Sequence, residues 1–286
     1  EDNSLEEYNK VNALNDYSIS QIRYIPETKC LIIVYRNSNI DLMYEDGTVY
    51  NLREYADKSL SYNKTINNVS TVGPVFYLCT GFGLVSIDSR TAQFENTYIL
   101  GQDTYACVEQ NGNLYAATAD GVYRGDKSTN LLESGNWEKI DNQAFYNAYL
   151  FDNTIFFFHS VNGVYRYRPE TGSTDRILAG NYHTSTMGNG QMIATNQYSM
   201  AIFTSADEWI TFDQRTAFNS ICYADGLYWG AMADGSLSAY TLDEAGPGFS
   251  LARTISAPSG PKRALAAYMK IYGDRLFVCG GGSYLD

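Results

Sequence analysis

A recurring pattern of two apolar runs around a small-residue turn constrains the fold of this chain more than any other feature. Clear copies are LYAATADGVYR at residues 114–124, FYLCTGFGLVS from Phe76 and FFFHSVNGVYR from Phe156. Seven such runs begin near residues 32, 76, 114, 156, 192, 228 and 276. Their spacing is 36 to 48 residues with a mean of about 41, which is typical of repeats that each form a four-stranded sheet.

Each repeat has the same internal order of strands and turns. An apolar strand is followed by a turn rich in Asn, Asp or Gly, such as NGN at residues 111–113 or ADG at residues 224–226. These residues tolerate the positive φ angles of tight hairpins. The 25 Tyr and 13 Phe residues also favour strands. The pattern predicts an all-β fold: a seven-bladed β-propeller of four-stranded antiparallel blades, forming a single domain over residues 1–286.

The spacing also predicts how the ring closes. Counting from Leu276 through the C-terminus and on from the N-terminus to Ile32 gives a spacing similar to the others. We therefore expect the last blade to combine inner strands from residues 263–286 with an outer strand from about Leu5 to Val11. Such closure by N- and C-terminal strands would remove two open sheet edges. Six blades with loose tails are the alternative.

Charge and cysteine content limit the classes of partner. The formal net charge is -12, and an acidic surface repels phosphate backbones, so we expect no nucleic-acid partner. No apolar run is long enough for a membrane helix, so no transmembrane segment is expected in this chain. The five cysteines lack CxxC spacing and lie mostly in apolar runs, which predicts buried free thiols.

Candidate ligand-binding residues lie in the loops that one end of a propeller would bring together. Those loops join the outer strand of one blade to the inner strand of the next, or the second strand to the third. The ligand-binding candidates are Tyr17, Tyr62, Tyr105, Tyr146, Tyr182, His183, Phe218, Arg36, Lys262 and Arg263, and the second set of loops adds Asn37, Asn39, Asn162, Asn196 and Tyr198. Aromatic faces stack on sugars, amides bond hydroxyls and the basic residues suit an anionic group. Alternatively, each aromatic ring packs its blade against the next.

Catalytic and metal motifs are lacking in the sequence. The two histidines, His159 and His183, are not in metal-binding spacing, and no nucleophile elbow, phosphate loop or calcium loop is present. His159 lies in an apolar strand and is expected to be an interior or channel-lining residue. The sequence therefore predicts no catalytic residue, no metal site and no cofactor, although carboxylates of different blades could still meet across the channel, as in a propeller lyase or glycosidase.

Several stretches resemble PorZ-type propeller proteins of Bacteroidetes. They include YNKVNALND leading into ISQIRY, LIIVYRNSNIDLM within residues 5–52, residues 64–101, and NLLESGNWEKI at residues 130–140. The recurring sequence pattern of NGL and DGVYR is also similar to that of two-component regulator propellers.

The resemblance to PorZ-type proteins implies a function without catalysis. Such proteins are components of type IX secretion at the outer-membrane surface, where they engage anionic lipopolysaccharide and the sortase that attaches it to cargo. The expected partners are therefore a glycan or lipopolysaccharide, a secretion-system protein, or both, and the expected location is the periplasm or the outer-membrane surface. The alternative is a periplasmic glycan-sensing propeller of a hybrid two-component regulator.

Overall fold

The fold consists of antiparallel sheets that follow one another along the chain. In this computed structural model, the described residues are 8–182, 184–196, 198–213, 218–232, 236–243, 248–255, 266–273 and 275–280. Six of the sheets have four strands, and each sheet keeps its strands in sequence order. Every blade is thus a simple meander, as the repeated strand–turn pattern predicts.

The first half of the chain forms three blades. Blade 1 contains β1 (Ile19–Ile25), β2 (Cys30–Tyr35), β3 (Ile40–Tyr44) and β4 (Val49–Asn51). A short helix, α1 (Glu54–Asp57), leads to blade 2, which contains β5 (Ile66–Val72), β6 (Val75–Thr80), β7 (Gly83–Asp88) and β8 (Gln93–Ile99). Blade 3 contains β9 (Thr104–Gln110), β10 (Asn113–Thr118), β11 (Gly121–Asp126) and, after a 3-10 turn at Ser134–Asn136, β12 (Trp137–Asp141).

The second half of the chain forms three more blades and a hairpin. Blade 4 contains β13 (Asn147–Phe151), β14 (Thr154–His159), β15 (Gly163–Arg168) and β16 (Ser173–Ala179). Blade 5 contains β17 (Thr184–Gly188), β18 (Gln191–Thr195), β19 (Ser199–Phe203) and β20 (Trp209–Asp213). Blade 6 contains β21 (Phe218–Ala224), β22 (Leu227–Met232), β23 (Leu237–Leu242) and β24 (Phe249–Ile255), and the terminal hairpin contains β25 (Ala266–Tyr272) and β26 (Arg275–Gly280).

The blades are arranged around a common axis with their first strands innermost. The first strand of each blade contacts the first strand of the next, from β1 through β5, β9, β13 and β17 to β21. The terminal hairpin contacts β21 on one side and β1 on the other. All-β architecture with four-stranded antiparallel blades is therefore confirmed.

The prediction of seven four-stranded blades is wrong. The structure has a six-bladed propeller, and the repeat around Leu276 forms a two-stranded hairpin within the described residues. The predicted closing strand from Leu5 to Val11 is absent over its described part, because residues 8–14 form a tight turn. In that turn the N–H groups of Asn9 and Val11 donate to the side chains of Asn12 and Asn9 at 2.7 and 2.8 Å, so neither N–H is free to pair with a neighbouring strand. Residues 5–7, 263–265 and 281–286 lie outside the described part of the chain.

The core is divided into apolar clusters between neighbouring blades. Blades 1 and 2 enclose one cluster that includes Ile32, Leu78 and Phe76, and blades 4 and 5 enclose another that includes Phe156 and Phe203. Similar clusters lie between blades 2 and 3, 3 and 4, and 5 and 6. Each blade buries both of its faces only by stacking on its neighbours, which explains why the apolar runs recur in every repeat.

Glycine is required where the third strand of a blade begins. Gly83, Gly121 and Gly163 occupy this position in blades 2, 3 and 4, with φ angles of 145°, 139° and 122°. A Cβ atom on Gly163 would lie 1.9 Å from the carbonyl oxygen of Leu178 in the fourth strand. The close approach of strands three and four at this end therefore excludes any side chain.

Candidate binding face and central channel

The loops predicted to bind a ligand lie on the end of the ring where the first strands begin, which we call the upper face. The segments that precede the first strands and the loops between second and third strands share this end, because strands alternate in direction within each blade. Large apolar side chains are exposed here in both kinds of loop. They are Tyr17, Tyr62, Val161 and Tyr198.

Tyr17 forms an exposed aromatic surface with basic side chains beside it. The residue is 68% exposed, and the Lys10 ammonium lies 4.5 Å from the centre of its ring. The N–H of Arg36, which is itself exposed, donates to the Ser18 carbonyl at 3.0 Å, so Arg36 lies next to this loop. The Tyr17 platform, made of Tyr17, Lys10 and Arg36, combines a flat ring with two basic residues, of which Lys10 also lies 4.0 Å from the Asp16 carboxylate.

The loop that carries Tyr17 is held by two carboxylates. The fully buried Asp41 accepts from the Asn15 N–H at 2.8 Å and from the Tyr35 hydroxyl at 2.5 Å. Burial would raise the pKa of Asp16, but hydrogen bonds from Asn37, the Tyr17 N–H and Asn39, and the charge of Lys10, lower it overall. Asp16 therefore stays ionised and fixes the loop through its bonds to the Tyr17 N–H and to Asn37.

Tyr62 and Tyr198 extend the exposed aromatic area in blades 2 and 5. Tyr62 precedes β5 and is 47% exposed, with its ring centre 5.7 Å from that of Phe82. Tyr198 lies in the loop between β18 and β19 and is 69% exposed. The N–H groups of Tyr198 and Ser199 both donate to the Asn196 side chain, which fixes this loop.

The other predicted aromatic residues lie deeper. Tyr182 and Phe218 are each only 4% exposed, and Tyr105 and Tyr146 are half-buried. The hydroxyl of Tyr146 donates to the Tyr182 carbonyl, which ties blade 4 to blade 5. Burial is the main cause that raises the pKa of Tyr105 and of Tyr146. The structure thus brings Tyr17 and Arg36 together, whereas it uses Tyr182 and Phe218 between blades.

Three predicted site residues fall outside the described part of the chain. They are His183, Lys262 and Arg263. Their proposed role in binding therefore stays a prediction from sequence.

A channel runs along the axis of the ring, between the first strands. It encloses a cavity of about 1070 Å³, and β1, β5, β9, β13, β17, β21 and β25 all contribute to its wall. The charged side chains that line it in the described part of the chain are Arg23, Glu109, Lys127 and Lys270. Lys127 and Glu109 form an ion pair at 2.6 Å.

Asparagine side chains connect the first strands of neighbouring blades, a role that the sequence pattern did not reveal. Asn68 Nδ2 donates to the Tyr105 carbonyl at 2.9 Å, and Asn147 Nδ2 donates to Ser185 Oγ at 3.0 Å. The Oδ1 atom of each accepts from the N–H of the next residue. The signal in the sequence was an Asn at or near the start of the first strand, at residues 68 and 147.

His159 closes a turn at the end of the second strand of blade 4. Its Nδ1 atom accepts from the N–H groups of Val161 and Asn162 at 3.1 and 3.2 Å. Thr80 and Thr118 hold the equivalent turns in blades 2 and 3, where each hydroxyl accepts from a backbone N–H. The half-buried histidine therefore has a local structural contact that explains its presence in the apolar strand.

Other features of the described residues bear on the expected chemistry. Cys30, Cys79, Cys107 and Cys222 are buried free thiols, as predicted, and burial raises the pKa of each. No group of three or more His, Cys, Asp or Glu side chains is placed to hold a metal ion in the described ranges. Among those same residues, no helix has the length and apolar character needed to span a bilayer.

The fold is a β-propeller of four-stranded antiparallel blades, and its upper face carries exposed aromatic side chains. Residues 1–138 match the model of the PorZ N-terminal β-propeller domain of type IX secretion. The predicted resemblance to PorZ-type propellers is therefore confirmed. By sequence, no curated protein matches the chain.

Solved structures share this fold at low sequence identity. PorZ of Porphyromonas gingivalis, described as an essential bacterial surface component of the type IX secretion system, superposes with a TM-score of 0.76 at 20% identity. The match covers 97% of this chain and 38% of that PorZ chain. The extracellular domain of a hybrid two-component system from B. thetaiotaomicron gives a TM-score of 0.67 at 14% identity, covering 97% of this chain and 40% of that one.

A third structure shows that the fold is not confined to such envelope proteins. The β-propeller domain of Cps50 (Swd1) from Myceliophteria thermophila has a TM-score of 0.67 at 13% identity. The match covers 94% of this chain and 95% of that domain. Propellers host unrelated functions, so the site and not the fold must carry the functional argument.

Proposed function

We propose that this chain is a non-enzymatic binding and scaffold propeller of the cell envelope, which engages an anionic glycan such as lipopolysaccharide through its upper face. The match of residues 1–138 to the PorZ propeller supports this proposal. It also supports an extracytoplasmic location and a secretion-system protein, such as a sortase, as a partner. The chain spans 38% of the PorZ chain it resembles, so both partners are part of the proposal.

The observation that carries the proposal is the Tyr17 platform. A sugar ring presents C–H groups that pack on an aromatic face, and an anionic substituent is attracted by a neighbouring ammonium or guanidinium group. Tyr17 supplies the face, while Lys10 and Arg36 supply the charges. Arg36 adds a positive charge beside the Lys10–Asp16 ion pair, which favours an anionic ligand locally although the chain has a net charge of -12.

A binding screen with variants of the upper face tests the proposal. Purified protein is titrated with lipopolysaccharide and with neutral and anionic oligosaccharides. We expect an anionic glycan to bind, and we expect Tyr17→Ala with Arg36→Gln to weaken its affinity by about tenfold or more, because both the stacking face and one charge are lost.

A matched tyrosine controls for loss of an exposed ring. Tyr50 is 51% exposed in β4, the outer strand of blade 1, and Tyr50→Ala should leave binding unchanged. The proposal fails if no anionic glycan binds. It fails also if the Tyr17 and Arg36 changes leave the affinity of a bound glycan intact.

A second candidate is the sensor propeller of a hybrid two-component regulator. The observation that favours it is the match of 97% of this chain to the extracellular domain from B. thetaiotaomicron. This function requires a transmembrane helix and a histidine kinase in the same gene. Sequencing the rest of the gene decides between the two, because a PorZ-type protein requires a C-terminal sorting domain instead.

A further inference from the structure

Two cationic side chains lie on neighbouring strands of the channel wall. Arg23 is in β1 and Lys270 is in β25, and these strands are adjacent where the terminal hairpin meets blade 1. Both residues line the same cavity of about 1070 Å³. The upper-face loops are not involved, so the pair belongs to a different site from the Tyr17 platform.

Among the described residues, the hydrogen bonds of the two side chains use only some of their N–H donors. The Nη1 atom of Arg23 donates to the backbone carbonyl of Ile22, and its Nη2 atom donates to Asn68 Oδ1, each at 2.8 Å. Lys270 Nζ donates to the Met187 carbonyl at 2.6 Å. A guanidinium group has five N–H donors and an ammonium group has three. These contacts fix both side chains in place and leave N–H groups available in the channel.

Neither cation is neutralised within the described part of the chain. The described ion pairs include neither Arg23 nor Lys270. Glu109, whose carboxylate is the one that lines the cavity among the described residues, is paired with Lys127. Burial and, less strongly, the charge of Arg23 lower the pKa of Lys270 to about 8, while Cys222 acts in the opposite direction. Two like charges that line one cavity, one of them partly desolvated, would be stabilised by an anion.

We propose that the central channel binds a carboxylate or phosphate group of a small ligand, held between Arg23 and Lys270. Planar carboxylate and tetrahedral phosphate oxygens match a guanidinium fork and a point ammonium charge. The cavity volume is that of a site for a small organic molecule. Polar wall groups such as Ser70 and Asn147 would contact the rest of the ligand.

Binding should depend on pH through Lys270. The charged and titratable groups around its ammonium are Arg23 on β1, Cys222 and Tyr223 on β21, and, lining the same channel, the Glu109–Lys127 pair. The ammonium is protonated below its pKa of about 8 and neutral above it. Anion affinity is therefore expected to fall as the pH rises from 7 to 9.

The test uses inorganic phosphate and succinate as probes, with affinity measured by isothermal titration calorimetry at constant ionic strength and pH 7. We expect at least one probe to bind, and expect Arg23→Gln and Lys270→Met each to weaken it by about tenfold. The double variant Glu109→Gln/Lys127→Met removes the paired charges of the same channel without changing net charge, and it should bind as the original chain does.

Each outcome bears on the proposal. Binding of phosphate alone or succinate alone supports it and identifies the ligand group. Absence of binding by either probe at millimolar concentration overturns it, as does equal binding by the Arg23 and Lys270 variants. If Lys270→Met fails to fold, Lys270→Arg keeps the charge and should keep the affinity. Tyr17 variants should not alter this binding, so the two sites can fail independently.

Discussion

The aromatic residue near the start of the first strand is exposed in some blades of the propeller and buried in others. In blades 1 and 2 the aromatic residue before the first strand, Tyr17 or Tyr62, is exposed. At the junctions of blades 4, 5 and 6 the equivalent residues, Tyr182 and Phe218, are buried. A recurring aromatic position therefore does not have one role: part of the set seals blade interfaces, and part remains available to a ligand.

Gly230, which faces the aromatic side chain of Phe218, explains why Phe218 is buried. A Cβ atom on Gly230 would lie 2.4 Å from the Phe218 ring, so the absence of a side chain there makes room for the ring. Tyr182 packs in the apolar cluster of blades 4 and 5, next to Tyr146. No such pocket receives Tyr17, which has the Lys10 ammonium over its ring instead.

The largest expected effect comes from removing a buried ring. Tyr182→Ala and Phe218→Ala should each lower the free energy of unfolding by about 3 kcal/mol, because each leaves a cavity between blades. Tyr17→Ala should change it by less than about 0.5 kcal/mol, as is usual for an exposed side chain. Urea unfolding monitored by tryptophan fluorescence gives these values. Equal losses of unfolding free energy in Tyr17→Ala and Tyr182→Ala would contradict the distinction between exposed and buried aromatic positions.

The asparagine bonds between first strands should have a smaller effect. Asn68→Ala and Asn147→Ala each remove a donor to the next blade, and we expect each to cost about 1–2 kcal/mol of unfolding free energy. Asn219→Ala is the matched control, because Asn219 is exposed and its amide donates to Met232 within its own blade at 3.3 Å. A cost at Asn219 as large as that at Asn68 would contradict the proposed connection between blades.

The channel predicts a pH dependence of stability. Lys270 has a pKa of about 8 in the folded chain, whereas an unfolded lysine has a pKa of about 10.4. Between these values the unfolded state binds more protons, so the contribution of Lys270 to stability rises with pH. Unfolding free energy should increase from pH 7.5 to 9.5 by about 1–2 kcal/mol more in the original chain than in Lys270→Met. An identical pH profile in both would show that Lys270 is not desolvated.

The smallest effect is expected at His159. Because Thr80 and Thr118 accept the same turn bonds in other blades, His159→Thr should change the unfolding free energy by less than about 0.5 kcal/mol. His159→Val removes the acceptor and should cost about 1 kcal/mol. Thermal unfolding of both variants checks this order, and a more stable valine variant would rule out the turn as the role of His159.

Much of the fold could be predicted because it depends on local patterns. Turn residues such as Asn111 and Asp225 adopt the positive φ angles, 51° for each, that their sequence motifs predict. The number of complete blades could not be predicted in this way. The repeat around Leu276 forms a hairpin, and residues 8–14 form a turn where a closing strand was expected. Closure depends on contacts between distant segments, which the spacing of apolar runs does not encode.

The candidate sites were less predictable from sequence. Loop position places the segments of Tyr17 and Arg36 next to each other, but whether an aromatic side chain is exposed depends on the residue that faces it from another strand. The pairing of Arg23 with Lys270 joins strands that are distant in the sequence, and neither residue belongs to a recognisable motif. Such contacts become visible only when the ring is assembled.

Hydroxyl-radical footprinting of the free protein tests the division of the upper face most directly. The rate of oxidation of each aromatic side chain, measured by mass spectrometry, reports its access to solvent. We predict rapid modification of Tyr17, Tyr62 and Tyr198 and strong protection of Tyr182 and Phe218. Similar rates at Tyr17 and Tyr182 would contradict the claim that some aromatic positions of this face are exposed while others join the blades.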